Sequence, residues 1–391
     1  MLDSPVRGFL VGEFETRLER LHKLMSTKRL AGILLMSEPE VRYFTGFLTQ
    51  FWQSPTRPWF LFIPVDKKPI AVIPEIGAAL MRTTWIDDIR TWGAPWPKDD
   101  GISLLQDLLE PLLKSGARLG VMKGHESSLR MPLGDYERLM SRLGGIEVVD
   151  ATDILHNLRM VKSAAEIDKI AHICGIASRT FARAGDIFHK GQSLAEAFRA
   201  FRIECLTQGA DDVPYLAGGA DQGGYCDIIS PPSNRSLESG DILMFDTGAT
   251  FDGYFCDFDR NFAIEQADDL SRRVYDTLWR ATEAGLSTAR PGRTCRDLFQ
   301  AMQNVISEMD DQGGEVGRYG HGLGMQLTEQ PSHAVFDDTV LEENMVITLE
   351  PSLNYGDGLI MVHEENIVVQ NGAPRLLSKR AAPELPIIGG R

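Results

Sequence analysis

Four acidic residues that interrupt apolar strand segments constrain this chain more than any other feature. Asp246 stands in MFDTG, Asp257 in FCDFD, Glu350 in TLEPS and Glu364 in VHEEN. An isolated ionised carboxylate in apolar surroundings costs several kcal/mol unless it is paired or bound to a metal. A fold that accommodates all four therefore has to supply compensating positive charge.

Bound cations are one source of that charge. Two divalent ions match four carboxylates, and His321 in GHGLG adds a neutral nitrogen ligand. An oxygen-rich set with one imidazole favours manganese, with iron, cobalt or zinc as further options. Separate salt bridges to basic residues such as Arg260 and Arg318 are the alternative, since structural ion pairs are common. The residues alone leave both interpretations open.

The first part of the chain alternates helical and strand patterns. A stretch with helical periodicity from Phe14 to Leu30 is followed by apolar runs that predict strands at 32–37, 59–64, 69–74 and 118–123. Short apolar runs between helices are typical of an α/β domain. This pattern ends near 148–152, so we predict an N-terminal domain over 1–155 and a second domain over 156–391.

Capping and turn signals organise the second part. Ser163 and Ser193 each precede a glutamate in S-x-x-E spacing, a capping box that predicts a helix start. Two strand patterns then meet at Asp252-Gly253, a dipeptide that favours a hairpin turn.

A similar order of elements follows later in the chain. It consists of a helix from about 268 to 288, a second helix opened by Thr294 and Asp297, and strands at 345–350 and 359–369. Two helices followed by two strands, twice over, predict an internally duplicated domain. No repeat is detectable at the level of residues.

Composition narrows the functional classes. The 391 residues are 43% hydrophobic and 24% charged, as in ordinary globular proteins. A formal net charge of −15 argues against a nucleic-acid partner, because such a surface repels phosphates. Five dispersed cysteines without C-x-x-C pairs indicate core residues rather than disulfides or a thiolate zinc site. With no run of about 18 apolar residues and no secretory pattern, we expect a cytoplasmic protein without a membrane partner.

Several blocks of the sequence resemble, in order and spacing, the creatinase, prolidase and aminopeptidase P family of pita-bread metallohydrolases. They are MFDTGATFDGYFCDFDRNF, GHGLGMQLTE, LEENMVITLEPS and MVHEENIVV, while VRYFTGF and LRMVKSAAEI look like that family's N-terminal domain and its junction with the catalytic domain. The resemblance implies an α/β (α+β) architecture with an N-terminal creatinase-like α/β domain followed by a C-terminal pita-bread catalytic domain. It also implies a homodimer.

The same resemblance implies a role for each acidic residue. Asp246 would bind one divalent metal ion, Asp257 and Glu364 would bridge two ions, and His321 with Glu350 would bind the other. Glu350 would also accept a proton during catalysis. Two such ions can activate water and polarise a carbonyl group, so the expected activity is hydrolysis of a C–N bond in a dipeptide or a small amino-acid-like molecule.

Two departures from the family pattern modify this expectation. Thr328 stands where the family's peptidases usually have the histidine of a His-Glu pair, and no histidine occurs between His189 and His321. A threonine hydroxyl positions hydrogen bonds but does not shuttle protons near neutral pH as imidazole does. We therefore expect a specialised small-molecule reaction, with Thr328 as a catalytic hydrogen-bonding group, rather than general Xaa-Pro cleavage.

Other activities on the same scaffold stay as alternatives. A metal-dependent lyase or a creatinase-like amidinohydrolase acting on a small zwitterion is the first, although a related lyase has an aspartate where this chain has Gly248. A non-catalytic binding protein is the second. The presence of all five predicted metal ligands argues against it, because a buried anionic cluster is costly without a use.

Asp259 and Arg57 are further site candidates. Asp259 lies two residues from Asp257, so strand alternation places both on one face, where relatives often carry threonine or serine. It is interpreted equally as a catalytic base or supporting acceptor and as a salt-bridge partner of an arginine. Arg57 stands in a segment similar to one of creatinases whose arginine holds the substrate carboxylate, with a solvent-exposed arginine as the equal alternative.

Three ring side chains complete the candidates. Tyr225 is predicted to line the substrate pocket, although aromatic residues are more often core. His333 is a candidate to bind substrate in place of the missing imidazole if its loop turns inward, but a surface histidine is the favoured interpretation. His363 should point away from its strand neighbour Glu364.

Overall fold

The computed structural model describes residues 4–55, 57–309 and 317–389. The chain divides into two compact units, of which one comprises Val6–Arg159 and the other begins at Met160. Four of the five cysteines are buried, Cys226 is exposed, and all five are free thiols. Across the described residues, every helix is too short or too polar to span a lipid bilayer.

Within the described part of Val6–Arg159, six strands form one sheet. They are β1 (Gly32–Leu35), β2 (Phe60–Pro64), β3 (Ile70–Pro74), β4 (Asp88–Trp92), β5 (Arg118–Val121) and β6 (Glu147–Asp150), in the spatial order β4-β3-β2-β1-β5-β6. β2 is antiparallel to β1 and β3, and the other neighbours are parallel. The helices are α1 (Val11–Lys28), α2 (Glu38–Thr45), α3 (Ala78–Met81), α4 (Ile102–Leu109), α5 (Leu133–Arg142) and α6 (Thr152–Met160).

The core of this unit lies where helices cover the sheet. Leu34, Phe62 and Val72 from the sheet belong to one buried cluster with Leu105 of α4 and Leu139 of α5. The strands predicted at 32–37, 59–64, 69–74 and 118–123 are confirmed as β1, β2, β3 and β5. Nearly all their residues are buried, which explains why they read as continuous apolar runs without alternation.

In the described residues of the unit that begins at Met160, strands form two five-stranded sheets and one pair. The first sheet contains β7 (Asp212–Gln222), β8 (Asp241–Phe251), β9 (Tyr254–Phe255), β10 (Phe258–Ile264) and β18 (Ile387–Ile388), in the order β18-β10-β8-β7 with β9 on β8. The second contains β11 (His321–Gly322), β12 (Glu329–Ser332), β13 (Val346–Leu349), β16 (Glu365–Val368) and β17 (Arg375–Leu376), in the order β12-β11-β13-β16-β17. The pair is β14 (Ser352–Tyr355) with β15 (Leu359–Val362).

Helices precede each of these two sheets in the chain. They are α7 (Ala164–Phe181), α8 (Ala184–Ile187) and α9 (Leu194–Gln208) before the first, and α10 (Asp269–Thr288) and α11 (Cys295–Ile306) before the second. Capping boxes open α7, α9 and α11, as predicted from Ser163, Ser193 and Thr294. The order of helices followed by strands therefore occurs twice, as predicted, but three helices rather than two precede the first sheet. The single strand predicted at 359–369 is in fact two strands, β15 and β16, which belong to different sheets.

The predicted hairpin at Asp252-Gly253 is also confirmed. β8 and β9 pair antiparallel around it, with Thr250 opposite Phe255. Asp252 and Gly253 have φ angles of 48° and 73°. Two successive positive φ angles are what a type I′ hairpin turn requires, and Asp-Gly meets that requirement at low cost.

Alternation along β8 and β10 separates an aromatic side from an acidic side. Phe245 of β8 stacks on Phe188 at a ring-centroid distance of 4.7 Å, and Phe258 of β10 lies 5.5 Å from Phe181 of α7. Neighbouring residues on a strand project to opposite faces. The acidic residues beside these two phenylalanines therefore face away from the helices, and they are Asp246, Asp257 and Asp259.

Candidate metal centre

Strand pairing brings three carboxylates together on the first sheet. Asp246 of β8 lies directly opposite Asp259 of β10 in the antiparallel register, and Asp257 immediately precedes β10. Directly opposite residues of an antiparallel pair project to the same face, and so do residues two apart on one strand. The three aspartates consequently share one side of the sheet.

The second sheet adds an imidazole and two further carboxylates. His321 lies on β11, Glu350 directly follows β13, and Glu364 directly precedes β16. Nε2 of His321 is 3.5 Å from Oδ2 of Asp257 and 3.8 Å from Oε2 of Glu350. Ligand atoms of Asp257, His321 and Glu364 all lie within 4.8 Å of one another. We refer to the five predicted ligands as the acidic cluster: Asp246, Asp257, His321, Glu350 and Glu364.

Glycines on both sides of His321 allow β11 to approach its neighbours closely. A Cβ on Gly320, whose φ is +122°, would lie 2.4 Å from the carbonyl oxygen of Thr348, and one on Gly322 would lie 2.1 Å from that of Gln330. No side chain tolerates such distances, so both positions require glycine. The backbone N–H of His321 then donates to Oγ1 of Thr348 at 3.1 Å.

A backbone contact fixes which nitrogen of His321 faces the carboxylates. Nδ1 lies 2.8 Å from the carbonyl oxygen of Gly322, which can only accept a hydrogen bond. Nδ1 therefore carries the proton, and Nε2 presents its lone pair toward Asp257 and Glu350. Burial lowers the pKa of His321 to about 4, so the ring is neutral at physiological pH. A neutral, oriented imidazole is the form that binds a metal.

The carboxylates of the cluster are costly to ionise together. Burial raises the pKa of Asp246 to about 7, against a hydrogen bond from Tyr215 that lowers it. Burial raises the pKa of Glu350 to about 8, with a further contribution from Asp246. For Asp257 and Glu364, burial and the neighbouring carboxylates raise the pKa well above its usual range. Bound cations would supply the charge that keeps these groups ionised.

Unpaired oxygen atoms show that the donor set fits a divalent cation. Among the described residues, Oδ1 of Asp246 and Oε1 of Glu364 are buried without a hydrogen-bond partner. Buried polar atoms in folded proteins nearly always have a partner, so such orphans indicate an ion or water. Carboxylate oxygens with one imidazole suit manganese and related ions. Metal ligation by these five residues stays a prediction that the geometry supports.

The cluster differs in exposure from one side to the other. Asp257 and His321 are each 4% exposed and Glu364 is 1% exposed. Asp246 is partly exposed, and 25% of the Glu350 side chain reaches solvent. A ligand from solution therefore meets the cluster on the side of Asp246 and Glu350.

Two predicted substrate contacts lie in the interior. Tyr225 is 1% exposed, and its hydroxyl donates to Asn261 at 2.9 Å and accepts from the N–H of Val362 at 2.9 Å. The polar group that would contact a substrate is already engaged, so a direct contact by Tyr225 is not supported.

The surface interpretation of His333 is wrong, because β12 leads the chain inward and the residue is fully buried. Its backbone N–H donates to the carbonyl of Gly320 at 2.9 Å. Burial lowers the pKa of His333 to about 3.

The remaining candidates have different surroundings. Thr328 is partly exposed and directly precedes β12, and Asp259 is buried opposite Asp246. Arg57 belongs to the other unit, where its guanidinium lies 5.5 Å from the ring centroid of Phe51. The roles of these three residues stay predictions. His363 points away from Glu364, as predicted, and its Nδ1 lies 3.0 Å from Oγ1 of Thr282.

Sequence reasoning missed side chains that support the cluster. Tyr215 hydrogen-bonds to Asp246, and Asn366 accepts from the backbone N–H of Asp257 at 2.9 Å. Arg318, considered above only as an alternative salt-bridge partner, donates to Ser332 at 3.2 Å and lowers the pKa of Asp257 and Glu350 by its charge. Strand alternation offered a signal for Asn366, two residues from Glu364. No local pattern marks Tyr215, which lies on a different strand.

Comparisons with known proteins agree with this architecture. Residues 168–371, just over half of the chain, match metallopeptidase family M24, and residues 17–161 match the creatinase/prolidase N-terminal domain. The chain is 28% identical over 373 residues to an Xaa-Pro dipeptidase of Pyrococcus horikoshii, an alignment that covers 92% of this chain and 96% of that protein. It is 26% identical over 359 residues to probable dipeptidase PepE of Mycobacterium tuberculosis, with 89% and 92% covered.

A solved structure shows the same fold. The crystal structure of dipeptidase PepE from Mycobacterium ulcerans matches with a TM-score of 0.84 at 25% identity, covering 98% of this chain and 100% of that one. The predicted fold class, a creatinase-like α/β domain followed by a pita-bread domain, is confirmed.

Proposed function

This chain is a metal-dependent hydrolase that belongs to metallopeptidase family M24, and we propose that it hydrolyses the C–N bond of dipeptides or small amino-acid-like molecules. The observation that carries the proposal is the convergence of Asp257, His321 and Glu364, whose ligand atoms lie within 4.8 Å of one another. The printed names of the relatives, Xaa-Pro dipeptidase and probable dipeptidase, support a dipeptide substrate.

The chain's own groups divide the work of the reaction. Asp257 and Glu364 would hold two divalent cations between them, with Asp246 on one side and His321 and Glu350 on the other. Such cations supply Lewis acidity and acidify a water molecule when bound. Glu350 is the partly exposed member next to His321, so it can accept the proton of the attacking water and return it to the leaving amine.

Thr328 sets the expected preference among substrates. The family's peptidases usually have histidine at this position, and a positioned proton-transfer group typically contributes about 10²–10⁴-fold to the rate. A hydroxyl can orient the substrate carbonyl but cannot supply that contribution. We therefore propose weak activity on Xaa-Pro dipeptides and faster turnover of another dipeptide or a small zwitterionic amide.

A substrate panel tests the proposal. Manganese-loaded protein is incubated with Xaa-Pro dipeptides, other dipeptides and small zwitterionic amides, and release of the amine is measured with and without a chelator. Metal-dependent hydrolysis of at least one compound supports the function; a fully metal-loaded protein that hydrolyses none of them contradicts it. Brisk turnover of several Xaa-Pro dipeptides would contradict the role given to Thr328. Thr328→Val is the matched variant, because it replaces the hydroxyl with a methyl group of similar size.

The packing around Gly248 disfavours the lyase alternative. A Cβ at this position would lie 2.3 Å from Cδ1 of Leu327 and 3.0 Å from Cβ of Tyr215, so the aspartate of a related lyase would fit here only if the Leu327 side chain shifted. The two reactions also differ in the fate of water. Incorporation of ¹⁸O from labelled water into the product identifies hydrolysis, and its absence identifies elimination.

The proposal extends to features that the fold alone leaves open. We propose two divalent cations per chain, with manganese first and iron, cobalt or zinc as alternatives, because the ligands are oxygen-rich with one imidazole. We also propose a cytoplasmic homodimer. Metal analysis of the purified protein measures the number and kind of bound cations. Light scattering measures the oligomeric state, and cell fractionation measures the location.

A further inference from the structure

Asp259 shares a feature with two of the predicted metal ligands. In the described residues, the buried side-chain carboxylate oxygens without a hydrogen-bond partner are Oδ1 of Asp246, Oε1 of Glu364 and Oδ1 of Asp259. Asp259 is only 2% exposed, so bulk water does not satisfy this oxygen. A buried acceptor left unsatisfied costs about 1–3 kcal/mol, and more if it is charged. Asp259 therefore needs a partner that the described residues do not provide.

A buried carboxylate with a purely structural role looks different in this fold. Asp241 is fully buried, and Arg235 donates to its Oδ1 at 2.9 Å and to its Oδ2 at 2.6 Å. Both of its oxygens are thus neutralised by one bidentate arginine. Among the residues that the structure describes, no arginine binds the Asp259 carboxylate in this way, although Arg260 is its immediate neighbour in the chain.

The guanidinium of Arg260 is directed elsewhere. It donates to the backbone carbonyls of Asp259 and Glu364, at 2.6 and 2.8 Å, and to the carboxylate of Glu365 at 2.9 Å. The salt-bridge interpretation of Asp259 is therefore not realised with this arginine. Its side chain instead lies on the acidic face, directly opposite Asp246.

A chain of hydrogen bonds determines which oxygen of Asp259 is left over. The N–H of Val362 donates to the Tyr225 hydroxyl oxygen at 2.9 Å, so the Tyr225 proton goes to Oδ1 of Asn261, also at 2.9 Å. Nδ2 of Asn261 then donates to the carbonyl of Val362 at 2.6 Å and to Oδ2 of Asp259 at 2.8 Å. A backbone N–H can only donate and a backbone carbonyl can only accept, so the donor and the acceptor of each of these hydrogen bonds are fixed. Oδ2 of Asp259 is held as an acceptor, and Oδ1 is kept available.

We propose that Asp259 is a sixth metal-binding residue, whose Oδ1 binds a divalent cation together with Asp246. This inference rests on the proposed metal-dependent function and extends it to metal selectivity. The centre would contain five carboxylates against one imidazole, a harder donor set than the five predicted ligands alone. Carboxylate-rich sites suit manganese, whereas added nitrogen or sulfur ligands favour zinc. Asp259 would therefore bias the centre toward manganese.

The variant Asp259→Asn isolates the proposed ligand atom. Its amide oxygen can still accept from Asn261, while the amide nitrogen takes the place of Oδ1 and cannot bind a cation. Asp227→Asn, on an exposed loop, is the control for loss of one negative charge. Circular dichroism and thermal unfolding of the metal-free proteins verify that both variants fold.

Manganese and zinc affinities of the full-length, metal-free proteins are the first measurement. We expect Asp259→Asn to lower manganese affinity at least about tenfold, to lower zinc affinity less, and Asp227→Asn to change neither. Unchanged manganese affinity in Asp259→Asn, or an equal loss for both metals, would overturn the proposal.

A crystal structure of the manganese-loaded wild type gives the second measurement. The proposal requires Oδ1 of Asp259 to be bonded to the ion, and an Asp259 bonded only to water or protein groups overturns it even if affinity falls. A failure of this inference can be distinguished from a failure of the proposed function. A wild type that binds manganese through Asp259 but hydrolyses no substrate would contradict the function alone.

Discussion

Glu364 and Glu365 are adjacent in the chain and almost fully buried, but Glu365 is surrounded by arginines and Glu364 by other carboxylates. Glu365 accepts from Arg380 at 3.2 Å through Oε1 and from Arg260 at 2.9 Å through Oε2. Glu364 faces Asp257 and the rest of the acidic cluster, and its Oε1 has no partner among the described residues. One side of this strand end thus carries a closed ionic network, and the other carries a cluster of mostly negative groups that the proposed cations would neutralise.

The difference separates two uses of buried charge. In the Glu365 network, defined as Glu365, Arg260 and Arg380, the chain provides both signs of charge and gains fixed geometry. In the acidic cluster it provides mostly one sign, which costs stability until a ligand compensates it. A substitution in the Glu365 network should therefore lower stability, whereas a substitution in the acidic cluster should lower metal binding without lowering the stability of the metal-free protein.

The largest effect is expected for Asp257→Ala. Asp257 lies 3.5 Å from His321 and within the group of ligand atoms that includes Glu364, so its loss removes a predicted bridge between two ions. We expect metal binding and activity to be abolished, measured as metal content per chain after loading and as hydrolysis rate. Asp227→Ala on an exposed loop is the control, and full metal occupancy in Asp257→Ala would defeat the assignment of the cluster.

Paired substitutions at the two glutamates test the comparison directly. Glu365→Gln leaves Arg260 and Arg380 without their buried counter-charge, and we expect the free energy of unfolding to fall by about 3–5 kcal/mol. Glu364→Gln removes a charge from a repulsive cluster, so it should not lower the stability of metal-free protein. Urea unfolding in the presence of a chelator measures both. Equal destabilisation by the two variants would show that the two environments do not differ as described.

The pH dependence of the metal-free protein has a definite sign. Asp246 and Glu350 have pKa values of about 7 and 8 in the folded state, raised mainly by burial, so the folded state retains protons that the unfolded chain has released. Stability should therefore fall as pH rises from about 6.5 to 8, by up to about 1.4 kcal/mol per pH unit for each proton that the folded state still retains, and the contribution of these two groups should level off above their folded pKa values. The pKa values of His321 and His333 are lowered, so both rings are neutral in the folded state and oppose the trend only near the lower end of this range, where they are partly protonated in the unfolded chain.

Urea unfolding at several pH values in this range measures the slope. Glu350→Gln should make the slope smaller, and a flat profile in the wild type would contradict the argument. Added manganese should stabilise the protein more strongly toward the upper end of the range, because protons compete with the ion for the same oxygens.

The smallest effect is expected for Thr282→Val. Oγ1 of Thr282 lies 3.0 Å from Nδ1 of His363, on the side away from Glu364. Loss of this contact should cost about 1–2 kcal/mol of unfolding free energy and leave manganese affinity unchanged. Thermal unfolding and metal titration measure the two quantities. A large loss of manganese affinity would mean that the side of His363 is coupled to the cluster after all.

Local patterns in the sequence were sufficient for several helix starts, one hairpin turn and four strands of the N-terminal sheet, and they singled out the acidic residues. Capping boxes at Ser163, Ser193 and Thr294 and the turn at Asp252-Gly253 were predicted correctly, because the contacts that define them span three or four residues. The acidic residues stood out because ionised groups do not belong in apolar strands unless they are compensated. Their convergence followed from that requirement together with the family resemblance.

The tertiary structure alone decided how individual atoms are used. Strand alternation predicts that Glu364 and Glu365 face opposite ways, but not that Arg260, 105 residues away, pairs with Glu365. The free oxygen of Asp259 depends on a contact between Asn261 and Val362 that spans 101 residues, and His333 is buried because β12 turns inward. Side-chain periodicity depends on a few neighbours along the chain, whereas hydrogen-bond partners depend on how separate strands and helices pack together. The sequence therefore determined which buried carboxylates need their negative charge neutralised, and the packing determined which groups are available to neutralise each one.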